Sequence, residues 1–152
     1  MRLQTSYFAL ARRVPCPVSI SLYPPLWYDG HRYPLLAPTP SIFSDRRSGA
    51  LSDKEFELRY VKEVLSRWPD ASALLSDLEA HMSKSIGRPP EDVTMLCFER
   101  PGVLCHRRFV ARWLEQGGVE VKEYLADVRC PPTRDKAPAP PATTMIFESL
   151  DF

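Results

Sequence analysis

The side chains best suited to chemistry lie in the segment 95–114, MLCFERPGVLCHRRFVARWL. An apolar run there predicts a buried strand, and Cys105, His106 and Arg107 follow a short loop at the start of a predicted helix. Ligands of parallel α/β sheets bind beyond the carboxyl ends of strands, and a helix start offers unpaired amides that favour anions. We therefore expect an anion-binding site, with Cys105 as a nucleophile or a structural thiol and His106 as an acid or base.

Two further side chains extend this predicted site. Glu99 lies just past the strand, where it can act as an acid, a base or the partner of an arginine. Arg107 carries the forked donors that suit phosphate or carboxylate. A purely structural interpretation stays open, in which Cys105 is a small buried apolar residue, His106 caps the helix and the arginines form a solvated face.

Spacing excludes several named chemistries. A phosphatase-type C-x-x-x-x-x-R loop would need an arginine where the chain has an alanine after Cys105 and a valine after Cys97. A structural zinc site usually contains a C-x-x-C pair, which is absent, so we predict no metal and no cofactor. A minor alternative is a metal held jointly by Cys97, Cys105, His106 and Cys130. The sequence also lacks G-x-G-x-x-G, P-loop, G-x-S-x-G and H-E-x-x-H motifs. Their absence argues against dinucleotide oxidoreductases, P-loop NTPases, ordinary α/β-hydrolases and common zinc proteases.

A second candidate region is the aromatic, proline-rich stretch over residues 23–38. Aromatic rings beside arginine and histidine can stack on a nucleobase or a sugar, although such a stretch more often packs its rings on its own core. We expect core packing for most of it, with Trp27, His31 and Arg32 at the rim in contact with the ligand. In this prediction the stretch is an irregular loop that covers the anion site.

The remaining pattern predicts an α/β fold, a small and mostly parallel sheet flanked by helices in a single domain with a Pro-rich C-terminal tail. Ser52 and Glu55 have the capping-box spacing of a helix start, Asp70 is placed to cap a second helix, and residues 109–115 form a third. Strands are expected over residues 3–10, 18–22, 93–98 and 119–124.

Composition and charge narrow the class of protein. Lys and Arg number 20 against 19 Asp and Glu, and the formal net charge of +1 argues against nucleic-acid binding. The sequence has no apolar run long enough to span a membrane and no convincing secretory signal at its start. The four widely spaced cysteines are then expected to stay reduced, and we expect a cytoplasmic protein.

The chain divides by composition into two parts. Residues 1–128 form the predicted domain, and residues 129–152 form a Pro-rich linker followed by a short apolar-acidic peptide. That peptide, residues 145–152, either folds back onto its own domain or docks onto a protein partner.

The segment 95–114 resembles the family named domain of unknown function 488, the YeaO-like proteins. The resemblance lies in a strand ending in Leu-Cys-x-Glu, a loop, and Cys-His-Arg at the start of a helix, and it covers residues 2–125. Matching positions are Leu96, Cys97, Glu99, Pro101, Cys105, His106, Arg107, Ala111, Trp113 and Leu114. The resemblance implies an α/β domain and adds Cys97 to the ligand-binding residues. It places Cys97, Glu99, Cys105, His106 and Arg107 in one site with Trp27 and residues 36–38, and it implies no particular reaction.

Two functions fit these residues. The leading hypothesis is a small cytosolic enzyme that binds an anionic small molecule, such as a nucleotide or a modified base, at the helix start near Cys105. Glu99 or His106 would supply its acid–base chemistry. The alternative is a non-catalytic interaction module that docks a protein partner through residues 145–152.

Overall fold

The structure, a computed structural model, describes residues 1–124. The predicted domain boundary at residue 128 and the predicted linker and peptide, residues 129–152, lie outside the described residues. Among the helices in the described part of the chain, none is long and apolar enough to cross a membrane.

Five strands form one sheet in which every pairing is parallel, in the order β3-β2-β4-β1-β5. The strands are β1 (Arg2–Tyr7), β2 (Pro17–Ser19), β3 (His31–Arg32), β4 (Asp92–Cys97) and β5 (Val121–Glu123). The central strand β4 is buried at every position after its first, as expected for a parallel strand covered on both faces. The predicted α/β fold with a mostly parallel sheet is confirmed.

Four α-helices flank the sheet. They are α1 (Pro40–Arg47), α2 (Asp53–Glu63), α3 (Ala71–Ile86) and α4 (His106–Gln116). The predicted capping box is present at α2, where the Ser52 hydroxyl accepts from the Glu55 amide and the Glu55 carboxylate accepts from the Ser52 amide. Asp70 caps α3 as predicted by accepting from the Ala73 amide, and Gly87 ends that helix with a φ of 82°.

The stretch between β2 and α2 is more regular than predicted. It contains β3, inside the residues predicted as an irregular loop, and then α1, which the sequence pattern does not predict. Helix α1 forms because the Thr39 hydroxyl accepts a hydrogen bond from the Ile42 amide at 3.2 Å. Pro40 suits the first helical position, where no amide hydrogen is needed. This helix supplies part of the site described below.

Aromatic packing fixes the start of α4 against α2. Tyr60 is fully buried, and its hydroxyl donates to the main-chain carbonyl of Leu36 at 2.5 Å. The Tyr60 ring lies 5.4 Å from the His106 ring and 5.9 Å from the Phe109 ring, centroid to centroid, within the range of favourable aromatic contacts. Because His106 is the first residue of α4, these contacts help to set the orientation of its imidazole.

Candidate functional site

The candidate site is built by β4, the loop after it and the start of α4. Cys97 is the last residue of β4, Cys105 is the extended N-cap residue of α4, and His106 begins the helix. All three side chains are buried, with exposed fractions of 4%, 2% and 6% in that order. The connecting loop thus returns the chain to the strand end and brings both thiols to one imidazole.

The distances within this cluster are short. The Nδ1 atom of His106 lies 3.5 Å from the Sγ atom of Cys97 and 3.9 Å from the Sγ atom of Cys105. The two sulfur atoms and Nδ1 all lie within 4.8 Å of one another. The Ser21 hydroxyl, just beyond β2, donates to the Cys97 sulfur at 3.6 Å. Of the residues that the structure describes, these three have the ligand atoms grouped closely enough to hold a metal ion.

The orientation of His106 is fixed by a main-chain contact. Its Nε2 atom lies 2.9 Å from the carbonyl oxygen of Ile20. Because a carbonyl oxygen only accepts hydrogen bonds, Nε2 carries a hydrogen in both charge states of the ring. The other ring nitrogen, Nδ1, therefore faces the two sulfur atoms.

The buried groups of the cluster alter one another's protonation. Burial alone raises the pKa of the Cys97 thiol, but the hydrogen bond with Cys105 and the charge of His106 outweigh it and hold this pKa well below its usual value. Burial and the neighbouring Cys97 raise the pKa of Cys105. Burial lowers the pKa of His106, but the charge of Cys97 and its hydrogen bond reverse this and raise it. Cys97 is therefore the more acidic thiol of the pair.

Glu99 lies beside the cluster, as the sequence suggests. One of its carboxylate oxygens, Oε2, lies 3.2 Å from the Cys97 sulfur. Burial, followed by the charge of Cys97, raises the pKa of Glu99 above its ordinary value. The site thus holds a carboxyl group that is only partly shielded from solvent and can exchange protons.

A cavity of about 220 Å³ opens onto the cluster. Its buried lining includes Cys97, Cys105 and His106, and Glu99 and Ser21 lie beside them. Its more exposed lining comes from the chain after β2 and from α1, and it includes Tyr23, Phe43, Arg46 and Arg47. The thiols, the imidazole and the carboxyl group therefore share one solvent-connected space with two arginines.

Arg107 does not reach this cavity, although the sequence predicts it as a ligand-binding residue. Its side chain is fully buried and donates to the main-chain carbonyl of Glu99 and, at 2.9 Å, to the Glu123 carboxylate on β5. The exposed Arg108 pairs with the same carboxylate. Arg107 thus holds the loop that carries Glu99. Its buried Nε atom has no hydrogen-bond partner within the described residues, but the side chain does not line the cavity.

The predicted aromatic cover also lies elsewhere. Trp27 packs edge-on against Phe8 at 6.3 Å and does not line the cavity. His31 contacts the Ser85 hydroxyl at 2.7 Å and lies in a groove with Asp92, at the amino end of β4, so it faces the opposite end of the sheet. Arg32 is exposed and approaches the main-chain oxygen of Leu22 at 3.5 Å. The structure does not bring these three residues together with the cysteine cluster.

The cavity also contains residues that sequence reasoning missed. Ser21 follows β2, which pairs with β4, and the carboxyl ends of neighbouring parallel strands meet at one edge of a sheet. That rule was sufficient to find Ser21. Arg46 and Arg47 belong to α1, whose start is encoded by the Thr39–Pro40 pair.

The chain matches one known family model. Residues 5–118 match the model described as "Active DUF488-N3 subclade", which covers most of the chain, including both thiols and Glu99. No curated protein and no solved structure matches the chain. The chain therefore belongs to the DUF488 family, within the subclade that this model describes.

Proposed function

We propose that the protein is a small enzyme that binds an anionic small molecule, a nucleotide or a modified base, in the cavity between α1 and the start of α4. One observation carries this proposal: two thiols, an imidazole, a carboxyl group and two arginines line the same cavity. Reactive and charged groups that converge in one concave site are the usual mark of a catalytic site.

Arg47 is the arginine that we assign to the anion. It is exposed and, within residues 1–124, it forms no ion pair. Arg46, in contrast, pairs with Asp53 at 2.6 Å and lies over the Phe56 ring at 5.2 Å. A phosphate or carboxylate at the cavity mouth would therefore meet the forked donors of Arg47 without displacing an acidic residue.

The dimensions of the cavity favour a small reacting group. Typical ligand pockets span about 300–1,000 Å³, and this cavity holds about 220 Å³. A single base fits such a space, whereas the phosphate of a nucleotide would extend toward the mouth. The rings of Phe43 and Phe56 line the cavity and offer apolar surface to a planar ring.

Glu99 is the residue that we assign to acid–base catalysis. It lines the cavity, its Oε2 atom lies beside the Cys97 sulfur, and the buried Arg107 holds its main-chain carbonyl. A proton carrier must lie within hydrogen-bonding reach of the reacting atoms, and Glu99 meets that condition for a ligand at the buried end of the cavity.

The binding part of the proposal is tested with a defined panel. Nucleoside 5′-monophosphates, the matching free bases and inorganic phosphate are titrated into the full chain by calorimetry. We expect a monophosphate to bind, and we expect Arg47→Gln to weaken its binding about tenfold, the equivalent of about 1.4 kcal/mol. The free bases should bind wild type and variant equally, since they do not use the arginine.

Arg88→Gln is the matched control. Arg88 is an exposed arginine near Asp92, in a groove at the amino end of β4, away from the cavity. It should leave every affinity unchanged. If no panel compound binds, or if the two variants weaken monophosphate binding equally, the assigned anion site is contradicted.

A further inference from the structure

Beyond small-molecule binding, we infer that Cys97, Cys105 and His106 form a binding site for a zinc ion. The sequence predicts no metal because no C-x-x-C pair is present. The structure brings the ligands together in another way, with one thiol from a strand end and a Cys-His pair from a helix start. The C-x-x-C pattern does not detect this arrangement, because it describes two ligands supplied by a single turn of the chain.

The distances from Nδ1 of His106 to the two sulfur atoms are close to those of a tetrahedral zinc site. Bond lengths of about 2.3 Å to sulfur and about 2.0–2.1 Å to nitrogen place neighbouring ligand atoms about 3.5–3.8 Å apart. In the structure, the Nδ1 atom of His106 lies 3.5 Å from one sulfur and 3.9 Å from the other. The two sulfur atoms lie within 4.8 Å of each other. A zinc ion would therefore bind between the three atoms once side-chain shifts bring the sulfurs to about 3.8 Å.

The surroundings of the three ligands are those of a metal site. Histidine ligands commonly donate their second ring nitrogen to a carbonyl or carboxylate, which fixes the ring, and here Nε2 of His106 meets the Ile20 carbonyl at 2.9 Å. The Ser21 hydroxyl donates to the Cys97 sulfur, as an outer partner of a thiolate ligand does.

Charge and donor type favour zinc. Metal binding needs two thiolates and an Nδ1 atom without a hydrogen, so two protons leave to solvent, one from Cys105 and one from the Cys97–His106 pair. The double positive charge of the ion then balances the two thiolates. All three ligand side chains are buried, where two thiolates without a cation would be costly. Two soft sulfur donors with one imidazole suit zinc better than magnesium or calcium.

The zinc ion would have a fourth, open coordination position, which indicates a catalytic role. This part of the inference rests on the proposed function. Three protein ligands with one open position are typical of catalytic zinc, and all three ligand residues line the cavity. Water held at that position would lose a proton to Glu99 as its oxygen bonds to the substrate carbon. The bond between that carbon and the departing group would then break, and Glu99 would give the proton to that group. Zinc deaminases hydrolyse bases with a His-Cys-Cys site and a non-ligand glutamate. We therefore assign the reaction to hydrolysis.

The metal site is tested with zinc alone. The full chain is stripped of metal under reducing conditions and titrated with Zn²⁺ against a coloured zinc indicator. We expect one zinc ion per chain. Cys97→Ser and Cys105→Ser should each weaken zinc binding by at least about 100-fold, the upper end of the losses seen when only an outer partner is changed.

Two cysteine variants serve as controls. Cys16→Ser, at the opposite end of β2, should leave zinc affinity unchanged. Cys130 lies outside the described residues, and Cys130→Ser should also leave the affinity unchanged because the fourth position is open. A large loss in Cys130→Ser would overturn the open position, and an equal loss in all four variants would overturn the site.

Binding of Co²⁺ to the wild-type chain tests the metal site even if a cysteine variant fails to fold. Co²⁺ bound by the wild-type chain should show sulfur-to-cobalt charge transfer in the near ultraviolet and the strong visible bands of tetrahedral cobalt. Absence of these bands, with no Zn²⁺ retained, would overturn the metal site. If the monophosphate panel binds but zinc does not, this inference fails alone. If zinc binds and the panel does not, the proposed function fails alone.

Discussion

Arg107→Leu should lower the free energy of unfolding by about 3–5 kcal/mol, the cost of breaking a buried ion pair from one side. The Arg107 side chain is fully buried and bridges the Glu99 carbonyl to the Glu123 carboxylate. Leucine would remove both hydrogen bonds and leave space that the longer side chain fills. Urea unfolding of wild type and variant, followed by circular dichroism, measures the loss.

Arg108→Leu is the matched control for this effect. Arg108 pairs with the same carboxylate, but its side chain is 49% exposed, and surface ion pairs contribute only about 0–1 kcal/mol. Removing both partners, in Arg107→Leu with Glu123→Leu, should recover part of the stability, since a buried pair can be replaced by apolar groups at little cost. Equal losses for Arg107→Leu and Arg108→Leu would contradict the structural role of Arg107.

Glu99→Gln should slow turnover by about 100- to 10,000-fold, the usual contribution of a positioned acid or base. Glutamine keeps the size and the hydrogen-bonding reach of the side chain but cannot carry the proton. The panel of monophosphates and bases is incubated with zinc-loaded protein, and product formation is followed by chromatography with mass detection. Ligand affinity and stability should stay close to the wild-type values.

Glu91→Gln provides the comparison at the other end of β4, where the glutamate is exposed. It should leave turnover unchanged. If Glu99→Gln converts the substrate at the wild-type rate, Glu99 is not the acid–base group. If the panel binds but no compound is converted by the wild type, the catalytic part of the proposed function is contradicted while the anion site stands.

The fold was largely predictable because local signals agreed with the global arrangement. The apolar run of β4 predicted a buried parallel strand, and the capping residues Ser52 and Asp70 predicted the starts of α2 and α3. Helix α1 is not apparent from the sequence because its cap, Thr39, lies between Pro38 and Pro40, and clustered prolines are typical of loops.

The cysteine cluster was predictable because its members are close in sequence as well as in space. A strand, a loop and a helix start suffice to bring Cys97, Glu99 and Cys105 together. The direction of Arg107 was not predictable, because its partner Glu123 lies on β5, and the place of that strand depends on its pairing with β1. The place of the aromatic stretch, predicted to cover the anion site, was not predictable for a similar reason. It depends on the pairing of His31 with β2 as part of β3.

We infer above that the buried Cys97–Cys105–His106 cluster is a metal centre that faces the ligand cavity. Crystals of the full chain grown with Zn²⁺ and measured at the zinc absorption edge test it most directly. We expect one anomalous peak about 2.0–2.3 Å from both sulfur atoms and the Nδ1 atom, with one coordination position of the zinc ion open to the cavity. Absence of a peak at the cluster, or a disulfide bond between its two sulfur atoms, would show that the cluster is not a metal centre.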